Sequence, residues 1–155
     1  MDQARLNFIS NEYIPLLKSL SADAMGKWGK MSGQQMVEHV SGFFKVSTEK
    51  LVLPFVTPIE HLPKYREFLF SDAPFRENTK APGNIVPEEP VALRKASMAE
   101  AIEELQNEII YFVELFTTHP GKKTFHPVFG ELNFEEWVLL HYKHVTHHLR
   151  QFELM

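Results

Sequence analysis

The 155-residue chain contains no cysteine, which excludes disulfides, thiolate metal ligands and a cysteine nucleophile and leaves imidazoles and carboxylates to carry any metal chemistry. Cationic clusters are equally scarce. No run of basic residues exceeds Lys122-Lys123, and the net charge is −4, so the electrostatic footprint of a nucleic-acid or anionic-membrane binder is missing. Long apolar runs are absent as well. Asp2, Arg5, Glu12 and Lys18 interrupt the first twenty residues, which read as neither a secretory signal nor a membrane span. The expectation is a cytoplasmic protein with no nucleic-acid and no membrane partner. Neither an internal repeat nor a low-complexity tract breaks the chain.

What is abundant is apolar and aromatic surface. A 44% apolar share with 13 Phe, 4 Tyr and 2 Trp fills one substantial core, and the length is that of a single domain, so residues 1–155 are read as one unit.

The apolar positions follow a helical period. Leu6, Ile9, Tyr13, Leu16 and Leu17 predict a first helix over Gln3 to Lys18, with Pro15 as a kinking or terminating residue. Ser32 is positioned to cap a second helix reaching about Leu51, whose inward stripe is Met36, Val40, Phe43 and Val46 with His39 beside it. Ser97 with Glu100 forms a capping-box pattern ahead of Ile102, Leu105, Ile109, Phe112, Val113 and Phe116, a third helix ending before His119-Pro120-Gly121. Asn133 with Glu136 repeats the pattern ahead of a fourth helix to about Arg150, with Phe134, Trp137, Val138, Val145 and Phe152 on its apolar face.

Between the second and third helices, Leu53 to Arg94 carries seven prolines, which prevent a long helix and leave only Tyr65 to Phe70 as a short helical turn. A connection of that length is expected to wall a pocket or to be a merely ordered crossover. With no two-residue alternation recognised anywhere, the predicted fold is all-α: an antiparallel four-helix bundle with a long Pro-rich connection between helices 2 and 3.

Eight histidines are present, and five matter first. At about 100° per residue, His141, His144 and His148 fall within an arc of about 60° that overlaps Trp137 and Phe134, so they face the core. Buried imidazoles without partners cost on the order of 1–3 kcal/mol each, and something must satisfy them. His144 and His148, four residues apart, stack one turn from each other and can reach a single ion at about 2.0–2.1 Å, with His39 as the natural third ligand from a facing helix. Taken singly, His39 is more commonly a core-edge residue bonded to a carbonyl or carboxylate, and His141 can be the same, donating to a buried acid or a water. His147 projects to one side, as a surface or outer residue. His61, His119 and His126 are assigned to loops, with no chemistry beyond lining the pocket mouth. His141 and Trp137 are expected to line the pocket.

Two stretches carry a family resemblance: Trp28-Gly29-Lys30-Met31-Ser32 followed by Gln35-Met36-Val37-Glu38-His39-Val40, and Lys143-His144-Val145-Thr146-His147-His148-Leu149-Arg150-Gln151-Phe152. Together they resemble the DinB-like family of metal-binding four-helix bundles, and His126 to Leu132 with Trp137 resembles an uncharacterised subgroup of it. The resemblance implies a three-histidine site for zinc, nickel or a similar divalent ion. By motif, its ligands are His39, His144 and His148. It further implies a homodimer, and activities such as thiol-dependent S-transfer or isomerisation with a low-molecular-weight thiol as partner. Three imidazoles leave positions for water or substrate, the pattern of catalytic rather than closed sites. The expected function is therefore a metal-dependent transferase or hydrolase acting on a small-molecule substrate, with a non-catalytic metal- or ligand-binding bundle as the alternative. Glu38 adjoins a ligand but points about a quarter turn away, and no general base is assigned.

Overall fold

The computed structural model describes residues 1–82 and 85–155; residues 83 and 84, in the Pro-rich crossover, lie outside the described residues. Its elements are α1 (Gln3–Asn7), a π-helical turn (Phe8–Glu12), α2 (Tyr13–Leu17), α3 (Gly33–Ser47), a 3₁₀ turn (Ile59–His61), α4 (Leu62–Phe70), α5 (Met98–Thr118), β1 (Lys123–His126), β2 (Gly130–Asn133) and α6 (Phe134–Gln151).

The expected all-α four-helix bundle is therefore corrected. Among the described residues there are five helical rods, counting α1 to α2 as one, and a two-stranded antiparallel sheet. In the sheet Lys123 faces Asn133, Thr124 faces Leu132, Phe125 faces Glu131 and His126 faces Gly130. Thr124, His126, Gly130 and Leu132 turn inward while their neighbours turn out, an alternation confined to four residues per strand and too short to stand out from its flanks. Gly130 opens β2 at φ +76°, a left-handed conformation that a side chain would strain.

The fifth rod is α4. Pro63 does not prevent it, because a proline in the first helical turn withholds only an N–H that has no intrahelical partner. In the first rod Pro15 cannot donate to the carbonyl four residues earlier. One turn before it the chain widens to i→i+5 bonding, with Tyr13 N–H donating to Phe8 O.

The caps follow the sequence closely. Ser32 accepts from Gln35 N–H while Gln35 returns a bond to Ser32 N–H, and Asn133 and Glu136 do the same at α6. At α5 Ser97 accepts from Glu100 N–H, but Glu100 reaches back to Ala96 N–H instead of to Ser97.

The core gathers Ile9, Tyr13 and Leu17 from the first rod, Met36, Val40 and Phe44 from α3, Leu105, Ile109 and Phe112 from α5, and Trp137, Leu140, Val145 and Leu149 from α6. Trp137 Nε1–H donates to Thr124 Oγ1 at 2.7 Å, and that hydroxyl donates to Ser47 O at 2.8 Å, pinning the hairpin between α6 and the end of α3. The crossover is stitched down at several described points. Val56 N–H and Thr57 Oγ1 bond to the hairpin loop at Pro127 O and Val128 O. Lys143 Nζ donates to Ser71 O and Ala73 O, both at 2.6 Å. Glu38 Oε1 accepts from the backbone N–H groups of Arg94 and Lys95 at 2.8 and 3.0 Å. No helix among the described residues is long and apolar enough to cross a membrane.

Candidate metal centre

Helices α3 and α6 bring three imidazoles to one point. His39 Nε2 and His144 Nε2 lie 3.0 Å apart, and His148 Nε2 lies 3.0 Å from the same His144 nitrogen. The ligating atoms of all three fall within 4.8 Å of one another. The rings meet edge to face, His39 at 69° to His144 and His144 at 79° to His148, so their nitrogens point inward while their planes fan out. The face of Phe43 covers His144 with 4.1 Å between centroids. His144 and His148 are buried, and His39 is the most open of the three.

These distances can be tested against an ion. With metal–nitrogen bonds of about 2.0–2.1 Å, two ligands stand about 2.9 Å apart at a right angle and about 3.3–3.4 Å apart in a tetrahedron. The observed 3.0 Å lies between these limits. Without an ion the same atoms are poorly matched: three ring nitrogens share one spot, a single N–H is needed at each close pair, and His144 Nδ1 is buried with no partner among the described residues. The donor set fits a borderline divalent cation such as zinc or nickel.

The electrostatics favour the ligating form. Burial holds His39 down to about 4, with His147 adding to the effect. His144 is pushed well below the ordinary histidine range first by burial and then by His148 and His39, and His148 first by burial and then by His39. All three are neutral at pH 7, with lone pairs available to a metal.

The other expected site residues sit elsewhere. His141 is fully buried, stacked flat on Phe44 at 3.8 Å with Phe112 at its edge, and it is not one of the converging group. Both of its ring nitrogens lack partners among the described residues. Trp137 lies in the packed core, bonded to Thr124 and stacked on His141. His147, expected to lie toward the surface or outside the ligand shell, is 9% exposed, packed between Trp28 and Phe75 and against His148. Glu38 points away from the cluster, as its quarter-turn offset implies, and holds the end of the crossover.

Two residues escaped the sequence reading. His126, assigned to a loop, is the buried last residue of β1, and its Nδ1 accepts from Val128 N–H and Phe129 N–H at 3.0 and 3.2 Å. Gln151 bonds His148. The His-to-Gln spacing of three on a helix was the signal available for it.

A groove lies between crossover and hairpin, lined by Phe55, Ile59, Leu62, Arg66, Phe125 and Phe129 among others, and not by the expected pocket residues His141 and Trp137. A smaller cleft lies by Arg5, Tyr142, Lys143 and Arg150. Neither is lined by the converging histidines.

Helical rods, a pinned hairpin and a buried three-imidazole cluster shared by two helices define the class: a helical bundle with an interior histidine centre. The chain belongs to the family described as "protein of unknown function (DUF1569)", whose model matches residues 4–155. No curated protein matches it.

Proposed function

We propose that this protein binds one divalent metal ion, zinc or nickel, through His39, His144 and His148, and with it acts on a small molecule as a metal-dependent transferase of the thiol S-transferase kind or as a hydrolase. One observation carries the reading: Nε2 atoms of three histidines from two helices, with no carboxylate among them, converge, those of His39 and His148 each 3.0 Å from that of His144 and all within 4.8 Å of one another. Such an ion supplies Lewis acidity, which stabilises a thiolate or polarises a carbonyl. The chain's own contribution is to keep the imidazoles neutral by burial, to exclude water with the Phe43 face, and to leave its most open ligand, His39, toward the solvent side. The low-molecular-weight thiol, the homodimer and the kinship with DinB-like bundles rest on the resemblance of the Trp28 and Lys143–Phe152 stretches.

A second reading, in which the ion only staples α3 to α6, is favoured by a specific observation: His144 and His148 are buried and the Phe43 ring packs over His144. Protein purified without an affinity tag and analysed for metals is expected to hold one zinc or nickel per chain, and His144→Ala none. Protein that arrives metal-free and binds neither ion when offered it overturns the proposal. Depletion and reloading then separate the two readings, since a stapling ion changes the melting temperature alone whereas a catalytic one restores turnover of thiol conjugates or simple esters.

A further inference from the structure

His148 presents one nitrogen to the cluster and the other to Gln151, and the second contact determines what the first can be. Gln151 Nε2 stands 2.8 Å from the backbone carbonyl of Trp28, and its Oε1 stands 2.7 Å from His148 Nδ1. A carbonyl oxygen only accepts, so the amide nitrogen must face Trp28 and the amide oxygen must face the histidine. An amide oxygen likewise only accepts. His148 Nδ1 must therefore carry the proton, and Nε2, the atom turned to His39 and His144, is left as a bare lone pair.

The loop before α3 is built around this amide. Lys27 N–H donates to Gln151 O at 2.8 Å. A Cβ placed on Gly26 would lie 2.7 Å from Gln151 Cγ, and one on Gly29 would lie 2.9 Å from Gln151 Nε2. Gly29 also sits at φ +76°, where a side chain is strained. Both glycines thus leave room that the glutamine fills. Trp28 in turn packs on His147, whose ring packs on His148. Of the three converging histidines, His144 has an outer nitrogen with no partner among the described residues, whereas the outer nitrogen of His148 is held by Gln151.

We infer that Gln151, clamped by the Trp28 carbonyl and the Gly26–Gly29 loop, is a positioning residue that fixes His148 in its Nδ1–H tautomer and so hands its Nε2 lone pair to the metal. The inference about metal affinity rests on the metal reading above; the tautomer itself does not. A metal-ligating histidine whose outer N–H is held in this way is oriented before the ion arrives, and losing the acceptor typically costs 10–100-fold in affinity.

The test uses the full chain in two measurements. In metal-free protein, long-range ¹H–¹⁵N correlation of the imidazoles is expected to show His148 protonated on Nδ1 in the wild type and redistributed toward Nε2 in Gln151→Leu. Zn²⁺ competition against a chromophoric chelator is expected to show a loss of about 10–100-fold in Gln151→Leu. In Gln151→Glu, which keeps the acceptor, the loss should be less than about tenfold. A wild type with the Nδ1–H tautomer that binds no Zn²⁺ sinks the metal reading and leaves the relay standing. A wild type found as Nε2–H overturns the relay whatever the variants do. So does a Gln151→Leu protein that folds and binds Zn²⁺ as tightly as the wild type.

Discussion

His126 provides a test of the electrostatics away from the ligand cluster. Its ring is 2% exposed, Nδ1 is committed to two backbone N–H groups, and burial holds its pKa at about 3 against 6.5 for an unhindered histidine. The folded value is the lower one, so between these limits the unfolded chain binds the extra proton and stability falls as the pH is lowered. At pH 7.5 both states are essentially neutral and the group contributes almost nothing. At pH 5 the unfolded chain gains RT ln(1 + 10^1.5) while the folded one gains almost nothing, which removes ~2 kcal/mol. Out of a typical total of 5–15 kcal/mol that is a visible loss. Urea unfolding between pH 7.5 and 5, with EDTA present throughout so that metal release adds no slope of its own, should therefore show stability declining toward acid. His126→Leu leaves two backbone donors unpaired and will be less stable at pH 7.5. Its decline toward pH 5 should nonetheless be shallower by ~2 kcal/mol, because one proton uptake has been deleted. If wild type and variant decline in parallel, or if the His126 ring titrates near 6.5 by NMR, the account of this buried turn is wrong.

Two further perturbations probe how the site is held. Thr124→Val strips both the acceptor of Trp137 Nε1–H and the donor to Ser47 O; it should cost ~2–4 kcal/mol, or several degrees in melting temperature, while Zn²⁺ affinity stays within a few-fold. An unchanged melt would show that the hairpin is not pinned through this hydroxyl. Glu38→Ala deletes the acceptor of two backbone N–H groups at the end of the crossover, and limited proteolysis should then cut residues 76–94 several-fold faster at a stability cost of ~2 kcal/mol. Equal cleavage rates would mean that the crossover is anchored elsewhere.

Most of the helical frame was legible because its signals are local. Ser32, Ser97 and Asn133 each cap the helix they were expected to cap, and the apolar positions expected for α3, α5 and α6 lie within the observed spans except Phe152, the C-cap of α6, while α3 ends at Ser47 and not near Leu51. What was missed depends on partners. Strands of four residues become recognisable only when Thr124 is seen opposite Leu132 and bonded to Trp137. The helix at Leu62–Phe70 reads as too proline-rich until Pro63 is placed in its first turn, where the missing N–H does no harm.

The histidines show how far a periodic argument reaches. A helical wheel gives the direction in which a side chain leaves the axis and says nothing of its height along that axis, so His141, His144 and His148 were indistinguishable by angle. The structure separates them by height. Along the α3–α6 seam His39 meets His148 and His144, Phe43 covers His144, and Phe44 stacks on His141. Ascending numbers on α3 meet descending numbers on α6, so the helices are antiparallel. With a rise of about 1.5 Å per residue, Phe44 lies ~7.5 Å beyond His39, and His141 lies ~4.5 Å from His144 in the matching direction. The rung that faces His141 is therefore aromatic, not another imidazole, and the convergence is limited to the three residues whose heights coincide. Once the antiparallel order and the level of His39 opposite His144 and His148 are granted, the rest follows from sequence offsets: a histidine at position 39 stands about one helical turn short of 141.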